Sequence, residues 1–585
     1  MTCSAIRIQY WLGMCTKSPP GNSLKNYNKV RDYGSAATKR GEVMFDLEGQ
    51  AKKIWMLSRE YGQLVGAGGV KDVVSQLSEA LAKKNTRSIN VVLPLYGFVN
   101  ARAQGFKPLR DPFCPDRILR LQIDMHQPDK RILEEVNYYF KNINKVNLYL
   151  VDAERYRQKS DVYTYSEKDE NLVPWQKKSM GHHDFFAMNL LLQKAAIELM
   201  IVLGEKPDVI HCHDGHTAVL PALIRETAGY RNYFRETGCV VTIHNAGYGY
   251  HQEVIDIPYA ASITGLPKHV IDANQLDSKF DPFLVAGHYA ILNTVSENYA
   301  RELRETESDN LTGWLGHELL RRNVVLEGVT NGIDPKFFCS EAVAKGNPEL
   351  VFYPGREGDT LIGKKHCKEL LLGLLQPGVT LHGVQCFGSV EKDVKKPLFT
   401  FIGRLSEQKG IDIFTIVVEE LLQRYSEAQV LIFGNGASEI NSSLIRLTER
   451  TGVLGRVCFL QGFSPEMANQ VYAAGDFFII PSRYEPCGLT DFIAQLFGNI
   501  PVVHHVGGLV KVVDGVTGIA YDGNTPLDLL EALGRAMELY RDGKLKRRIQ
   551  LQAVKEIERN YTWTKVMRKY LELYQKARRQ QLCRE

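Results

Sequence analysis

Several features typical of metal-binding, membrane and nucleic-acid proteins are missing from this sequence of 585 residues. It has no Asp-x-Asp triplet of the kind that holds a metal-bound nucleotide diphosphate, so no metal site and no cofactor are expected. Its 11 cysteines form no CxxC pair, which favours reduced thiols in a cytosol-like compartment. No apolar run approaches the roughly 18 to 20 residues of a transmembrane helix, and no membrane partner is predicted. A net charge of +5 is too small to indicate nucleic-acid binding.

The composition is that of an ordinary globular protein, with 44% hydrophobic and 24% charged residues, and the length predicts several domains. Residues 1–50 show no helical or strand periodicity. The first 41 are basic and contain Asp32 as their single acid. This composition suits a transit peptide, a disordered tail or an over-long start equally well. We therefore expect a cytoplasmic protein, with a plastid as the alternative.

Residues 477–512 are the most informative stretch. An apolar run at 477–480 predicts a buried parallel strand, followed by a tight loop and a helix, and a second strand at 501–503 again precedes a helix. Strand ends that lead into helix starts are where doubly wound sheets bind anionic ligands. The stretch therefore indicates a site for a sugar nucleotide. Its candidate contacts are Glu485, Cys487, Gly488, Leu489, Thr490, Gly507 and Gly508.

Two further strand ends carry candidate contacts. A strand at 53–58 precedes Gly68, Gly69 and Lys71, a glycine-rich turn that either binds a phosphate or sugar or only reverses the chain. A strand at 398–402 precedes Arg404 and Lys409, just before a predicted helix. Two cations at a helix N-terminus either bind a diphosphate together or are ordinary surface charges on a solvated loop.

Polar residues also follow predicted strands in the first half of the chain. His216 ends the sequence HDGH, and Asn245 follows a strand in TIHN. The spacing of the three histidines up to His216 is compatible with zinc, but no fourth ligand is evident. Asp184 opens an apolar stretch with helical periodicity, where it either caps the helix or faces a ligand.

These motifs recur in the order found in the bacterial and plant starch/glycogen synthases, which the sequence resembles over most of residues 53–578. The shared elements are E-P-C-G-L-T, the following G-G-L, G-R-L-x-x-x-K-G, T-I-H-N and N-G-I-D. The resemblance implies an α/β protein of the GT-B fold, with two Rossmann-like doubly wound domains facing each other across a cleft. It also implies a retaining glucosyltransferase that moves glucose from ADP-glucose, or UDP-glucose, to an α-1,4-glucan.

The resemblance assigns roles to particular residues. Arg404 and Lys409 stabilise the departing diphosphate, and Glu485 orients the donor hydroxyls. His216 contacts the transferred glucose, and Asp184 lies on the acceptor side. Cys487 forms part of the wall, since no adjacent base is present to activate its thiol.

Three residues of the first domain depart from the family pattern. Gly66 replaces a lysine, and Lys71 is near enough to reach the same space. Gly215 replaces a tryptophan, which is expected to loosen the wall of the cleft. Tyr250 and the preceding Gly249 replace the end of T-I-H-N-x-x-Y-Q-G.

The predicted organisation is an N-terminal segment at 1–50, an acceptor-side domain at 51–337, a crossing at 338–395, a nucleotide-sugar domain at 396–560 and a helix at 561–585 that folds back on the first domain. Three functions stay open. The chain is an active glycogen or starch synthase, a related GT-B enzyme with another donor or acceptor, or a glucan-binding protein with reduced turnover. The intact second-domain motifs favour activity.

Overall fold

The computed structural model describes residues 51–66, 68–83 and 86–583, and the predicted segment 1–50 lies outside these ranges. The described residues form two α/β domains, each built on a mainly parallel sheet with an apolar core. In the second domain, Phe399 and Phe401 belong to one apolar cluster and Leu398 to another. Because alternate residues of a strand point to opposite faces, this sheet is covered on both sides. The predicted α/β class with two doubly wound domains is confirmed.

The first domain carries fourteen strands among its described residues. They are β1 (Lys53–Leu57), β2 (Ser88–Pro94), β3 (Lys107–Pro108), β4 (Arg110–Asp111), β5 (Cys114–Ile118), β6 (Arg120–Asp124), β7 (Leu133–Ile143), β8 (Val146–Ala153), β9 (Val209–His213), β10 (Gly238–Ile243), β11 (Gln275–Leu276), β12 (Lys279–Phe280), β13 (Ile291–Thr294) and β14 (Leu326–Gly328). The main sheet has the order β14-β13-β10-β9-β1-β2-β8-β7-β3, with β6 also paired to β7. The strands from β14 to β8 are parallel, and β7 begins an antiparallel edge.

The helices of the first domain lie between these strands. They are α1 (Val70–Ala82), α2 (Glu154–Arg157), α3 (Glu167–Leu172), α4 (Phe185–Val202), α5 (Leu220–Glu226), α6 (Ala228–Tyr233), α7 (Ile257–Thr264), α8 (Lys268–Ala273), α9 (Pro282–Tyr289), α10 (Glu297–Glu305) and α11 (Leu315–Arg321). By length and composition α4 alone among the described helices is long and apolar enough to cross a membrane, which the sequence reading overlooked. Most of it is buried in the core of the first domain.

The second sheet runs in the order β15-β16-β19-β18-β17-β20-β21-β22, and from β19 onward its strands are parallel. Its strands are β15 (Thr380–Leu381), β16 (Val384–Val390), β17 (Leu398–Leu405), β18 (Gln429–Gly436), β19 (Arg456–Gln461), β20 (Phe477–Ile480), β21 (Ile500–His504) and β22 (Ile519–Tyr521). The remaining helices are α12 (Glu341–Ala344), α13 (Ile362–Leu374), α14 (Ile411–Arg424), α15 (Ser438–Thr448), α16 (Pro465–Ala474), α17 (Leu489–Leu496), α18 (Pro526–Arg541), α19 (Gly543–Glu556) and α20 (Trp563–Leu582).

The range 338–395, read from the sequence as a crossing, contributes to the second domain. Strand β16 pairs with β19, and Leu371 and Leu372 of α13 share an apolar cluster with Val471 of α16. The difference arises because this stretch contains glycine, proline and charged residues, which obscure its periodicity. Its apolar residues pack against residues that are distant in the sequence.

Helix α20 packs on the first domain. Trp563 at its start donates from Nε1 to Gln76 Oε1 at 2.8 Å, and the hydroxyl of Tyr574 lies 3.0 Å from His211 Nδ1. The helix also closely approaches Gly238, the first residue of β10, since a Cβ there would lie 2.7 Å from the backbone of Ala577. The last helix of the chain therefore ties the second domain to the first.

Candidate active site

A cavity of about 920 Å³ lies between the two domains, at the carboxyl ends of parallel strands from both sheets. We call it the central cavity. Strand β9 leads to His216, β10 to Asn245 and β20 to Glu485, so the sheet topology brings distant residues together. Most of the predicted site residues line it, namely Gly68, Gly69, His216, Asn245, Arg404, Lys409, Glu485, Cys487, Gly488, Leu489 and Thr490.

Two second-domain loops form the cationic wall of the central cavity. Arg404 lies near the end of β17, and Lys409 ends the 3₁₀ turn Glu407–Lys409 before α14. Lys409 Nζ donates to Glu485 Oε2 at 2.5 Å, and the Ser482 hydroxyl donates to the same oxygen at 3.2 Å. The two loops also touch at Gly410, whose φ is 66° and where a Cβ would lie 2.0 Å from the carbonyl oxygen of Pro481. Lysine and glutamate are therefore held as a pair.

Lys511 anchors the loop of residues 481–490 through its side chain. This residue was not predicted from the sequence. Its ammonium donates to the carbonyl oxygens of Cys487, Gly488 and Gly508 at 2.5, 2.8 and 2.9 Å. It also lies 3.1 Å from the buried carboxylate of Asp491, and the two side chains are 6% and 0% exposed. Burial raises the pKa of Asp491 to about 6. One buried cation thus binds two carbonyls of this loop and one of the turn at Gly508, and its contacts to the loop are not revealed by any local pattern.

The N-terminus of α17 faces the central cavity. Its cap is Gly488, with φ 70°, and Leu489 and Thr490 of its first turn line the cavity wall. Unpaired backbone N–H groups and the helix dipole favour an anion at this position. Burial raises the pKa of Cys487 to about 11, so its thiol is protonated and belongs to the wall, as predicted.

The glycine pair Gly507 and Gly508 has a different role from the one predicted. The pair opens a five-residue 3₁₀ turn, Gly507–Lys511, and not a longer helix. The Gly507 N–H donates to both carboxylate oxygens of Glu302 at 2.9 and 3.1 Å, and the Gly508 N–H donates to the Glu485 carbonyl at 2.8 Å. Because both N–H groups have protein partners, the pair packs the loop rather than offering donors to a diphosphate.

The first-domain wall is built around His216 and residues that follow β1. Burial, with Arg59 and His244 nearby, holds the pKa of His216 well below its usual range, so its imidazole is neutral. Glu60 is buried, accepts the Gly68 N–H at 2.9 Å and accepts a hydrogen bond from the Tyr163 hydroxyl. The sequence reading missed Glu60, although its position at the carboxyl end of a parallel strand was a usable signal.

Two of the three histidines in the segment that ends in HDGH, His211 and His213, make side-chain contacts within the core. His211 lies 2.7 Å from the Thr242 hydroxyl, and His213 Nδ1 lies 2.9 Å from His244 Nε2. In the described parts of the chain, no group of three or more His, Cys, Asp or Glu side chains is arranged to hold a metal ion. Asp214, which follows His213, has a pKa raised to about 8 by burial.

Asp184 and Lys71 do not line the central cavity. Asp184 makes no capping hydrogen bond to α4, and its carboxylate binds Arg155 at 2.6 Å and Lys159 at 2.7 Å. It borders a separate cavity of about 400 Å³. Lys71 Nζ donates to Asp72 Oδ1 at 2.8 Å.

At two of the positions that depart from the family pattern, Gly66 and Gly215, neighbouring atoms fill the space that a side chain would occupy. A Cβ on Gly66 would lie 2.6 Å from Cβ and Cδ of Lys71, so the lysine stem covers this position. A Cβ on Gly215 would lie 2.2 Å from the carbonyl oxygen of His251. The expectation that Gly215 loosens the wall is therefore wrong, because backbone occupies the space that a side chain would take.

Comparison with known proteins places this geometry in a family. Residues 53–317 match the starch synthase catalytic domain, and residues 387–555 match the glycosyl transferases group 1. A glycogen synthase of Geotalea daltonii is 30% identical over 542 residues, covering 89% of this chain and 98% of that protein. The chain belongs to the glycogen synthase family. Glycogen synthase 2 of Geobacter sulfurreducens is 29% identical over 542 residues, covering 90% of this chain and 99% of that protein.

The fold agrees with this membership. The catalytic domain of Starch Synthase IV from Arabidopsis thaliana, solved with ADP and acarbose, superposes with a TM-score of 0.69 at 23% identity and covers 91% of this chain and 100% of that one. The GT-B expectation is confirmed, as is the assignment to the glycogen and starch synthases, which are glucosyltransferases.

Proposed function

We propose that this enzyme transfers glucose from ADP-glucose to the 4-hydroxyl at the non-reducing end of an α-1,4-glucan, with retention of configuration. The observation that carries the proposal is the central cavity, in which Arg404, Lys409, Glu485 and His216 meet from two domains. The Arabidopsis enzyme bound to ADP and acarbose supports an adenine nucleotide as donor and a glucan as acceptor.

The second-domain wall suits the charge that develops during transfer. As the bond to the anomeric carbon breaks, negative charge accumulates on the departing diphosphate. Arg404, Lys409 and the N-terminus of α17 surround the space where this charge would lie. Fixed donors of this kind lower the barrier because they need no reorganisation, and each is worth about 10² to 10³ in rate.

The pairing of Lys409 with Glu485 gives each residue a second task. The 2.5 Å contact holds the ammonium in place before the donor arrives. Glu485 keeps an oxygen with which to accept hydrogen bonds from sugar hydroxyls. Neutral His216 is able to donate to or accept from the transferred glucose on the opposite wall.

Two alternatives share this fold. One is UDP-glucose as donor or a different acceptor, and the other is glucan binding with reduced turnover. The second alternative draws on the first-domain changes, since Gly66 is covered by Lys71, whose ammonium is bound to Asp72. A cytoplasmic location remains part of the proposal, with a plastid as the alternative.

Nucleotide release from ADP-glucose and from UDP-glucose, each with and without glycogen, tests the proposal. We expect glycogen-dependent ADP release that falls about 10²-fold or more in Lys409→Ala. Lys392→Ala, which removes an exposed lysine outside the cavity wall, is the matched control and should keep wild-type activity. Nucleotide release from UDP-glucose alone would refute ADP-glucose as the donor. Glycogen binding without nucleotide release from either sugar nucleotide would favour a glucan-binding protein.

A further inference from the structure

The loop of residues 246–252 occupies the space beside Gly215. A Cβ at position 215 would lie 2.2 Å from the carbonyl oxygen of His251 and 2.7 Å from that of Tyr250. Real Cβ atoms do not approach oxygen this closely, so any larger residue at 215 would displace the loop. Gly215 and the loop's position therefore depend on each other.

Buried hydrogen bonds fix loop 246–252 on the first domain. His251 Nδ1 lies 2.6 Å from Asp281 Oδ2, and His251 Nε2 lies 2.7 Å from the Ala246 carbonyl. Burial alone would lower the pKa of His251, but Asp281 raises it to about 9, so both ring nitrogens donate at neutral pH. Asn189 Nδ2 donates to Gln252 Oε1 at 2.8 Å. At the other end, the Ala246 N–H donates to the Tyr299 hydroxyl at 3.1 Å, so the loop is held at both ends by the core.

From this fixed loop, Tyr250 reaches the second domain. Arg404 Nη2 donates to the Tyr250 hydroxyl at 3.3 Å, and both side chains line the central cavity. Within the described residues, no carboxylate forms an ion pair with Arg404, and its side chain is exposed. A guanidinium has five N–H donors, so this bond leaves most of them for an anion. The tyrosine therefore restrains a long cationic side chain without using up its donors.

We propose that Tyr250 is a positioning residue that holds the Arg404 guanidinium toward the diphosphate site. The inference rests on the proposed function, since it assumes that Arg404 binds the donor diphosphate. Restraining a long side chain before binding reduces the conformational entropy lost when the ligand arrives. Tyr250 would thereby link a first-domain loop to donor binding in the second domain.

ADP binding to the purified full chain, measured by calorimetry, tests the link without depending on turnover. Tyr250→Phe removes the hydroxyl and keeps the ring. We expect it to weaken ADP binding about 5- to 20-fold, less than the loss of a direct hydrogen bond to a charged ligand group, because the hydroxyl acts on ADP only through Arg404. In an Arg404→Ala background the same change should alter binding less than about 2-fold, because the group on which the hydroxyl acts is gone. Tyr425→Phe, outside the cavity wall, should bind like wild type.

The outcomes separate the two proposals. If Arg404→Ala weakens ADP binding and Tyr250→Phe does not, the positioning role is refuted and the proposed function stands. An equal loss from Tyr250→Phe in both backgrounds would also refute it, since the tyrosine would then act directly on the ligand. If Arg404→Ala leaves ADP binding unchanged, the diphosphate role fails and the inference fails with it.

Discussion

Gly215→Ala is the smallest change that tests how loop 246–252 is placed. The added Cβ would lie 2.2 Å from the His251 carbonyl oxygen, whereas ordinary contacts begin near 3.4 Å. Either the loop or the turn after β9 must therefore move by about 1 Å. The carbonyl belongs to the backbone of His251, whose side chain is held by a buried contact with Asp281. The strain is therefore not easily relieved.

Overpacking of this kind costs about 1 to 3 kcal/mol. For a domain of this size we expect the melting temperature of the first domain to fall by about 2 to 5 °C. Differential scanning calorimetry with separate transitions for the two domains measures it.

Gly229→Ala in α6 is the matched control. A Cβ there meets nothing within 4 Å, and alanine favours the helix, so this variant should be neutral or slightly more stable. If Gly215→Ala also melts at the wild-type temperature, the loop does not occupy the position described, and the account of Gly215 is refuted.

Three further predictions concern buried charge. Lys511→Met leaves Asp491 unpaired in the core and should destabilise the second domain by about 3 to 5 kcal/mol, measured by calorimetry; a change below about 1 kcal/mol would contradict the role of Lys511. The raised pKa of His251, about 9 against 6.5, contributes about 3 kcal/mol that is fully present below pH 6.5 and lost as the pH rises to 9. Asp281→Asn should therefore lower the melting temperature at pH 6 much more than at pH 10. Asp214 is protonated when folded, with a pKa of about 8, so Asp214→Asn should raise the melting temperature at pH 8 relative to wild type and change it little at pH 4.

Much of the second domain could be predicted from the sequence because its signals are local. The apolar run at Phe477–Ile480 became β20 with the predicted bounds, and Arg404 and Lys409 reached the cavity from one strand and the turn after it. The contacts that were missed join residues far apart in sequence. Lys511 binds carbonyls more than twenty residues away, and the antiparallel edge around β7 lacks a clear alternation of apolar and polar residues.

The three departures from the family pattern show the same limit. In the sequence they are three unrelated changes, at Gly66, Gly215 and Tyr250. In the structure Lys71 covers the first, and the backbone of the loop that carries Tyr250 fills the second. A lost side chain leaves a cavity, which costs stability, whereas these positions are packed. The first-domain wall is therefore packed at Gly66 and Gly215, and the loop that fills the second position also carries Tyr250, whose hydroxyl accepts a hydrogen bond from Arg404.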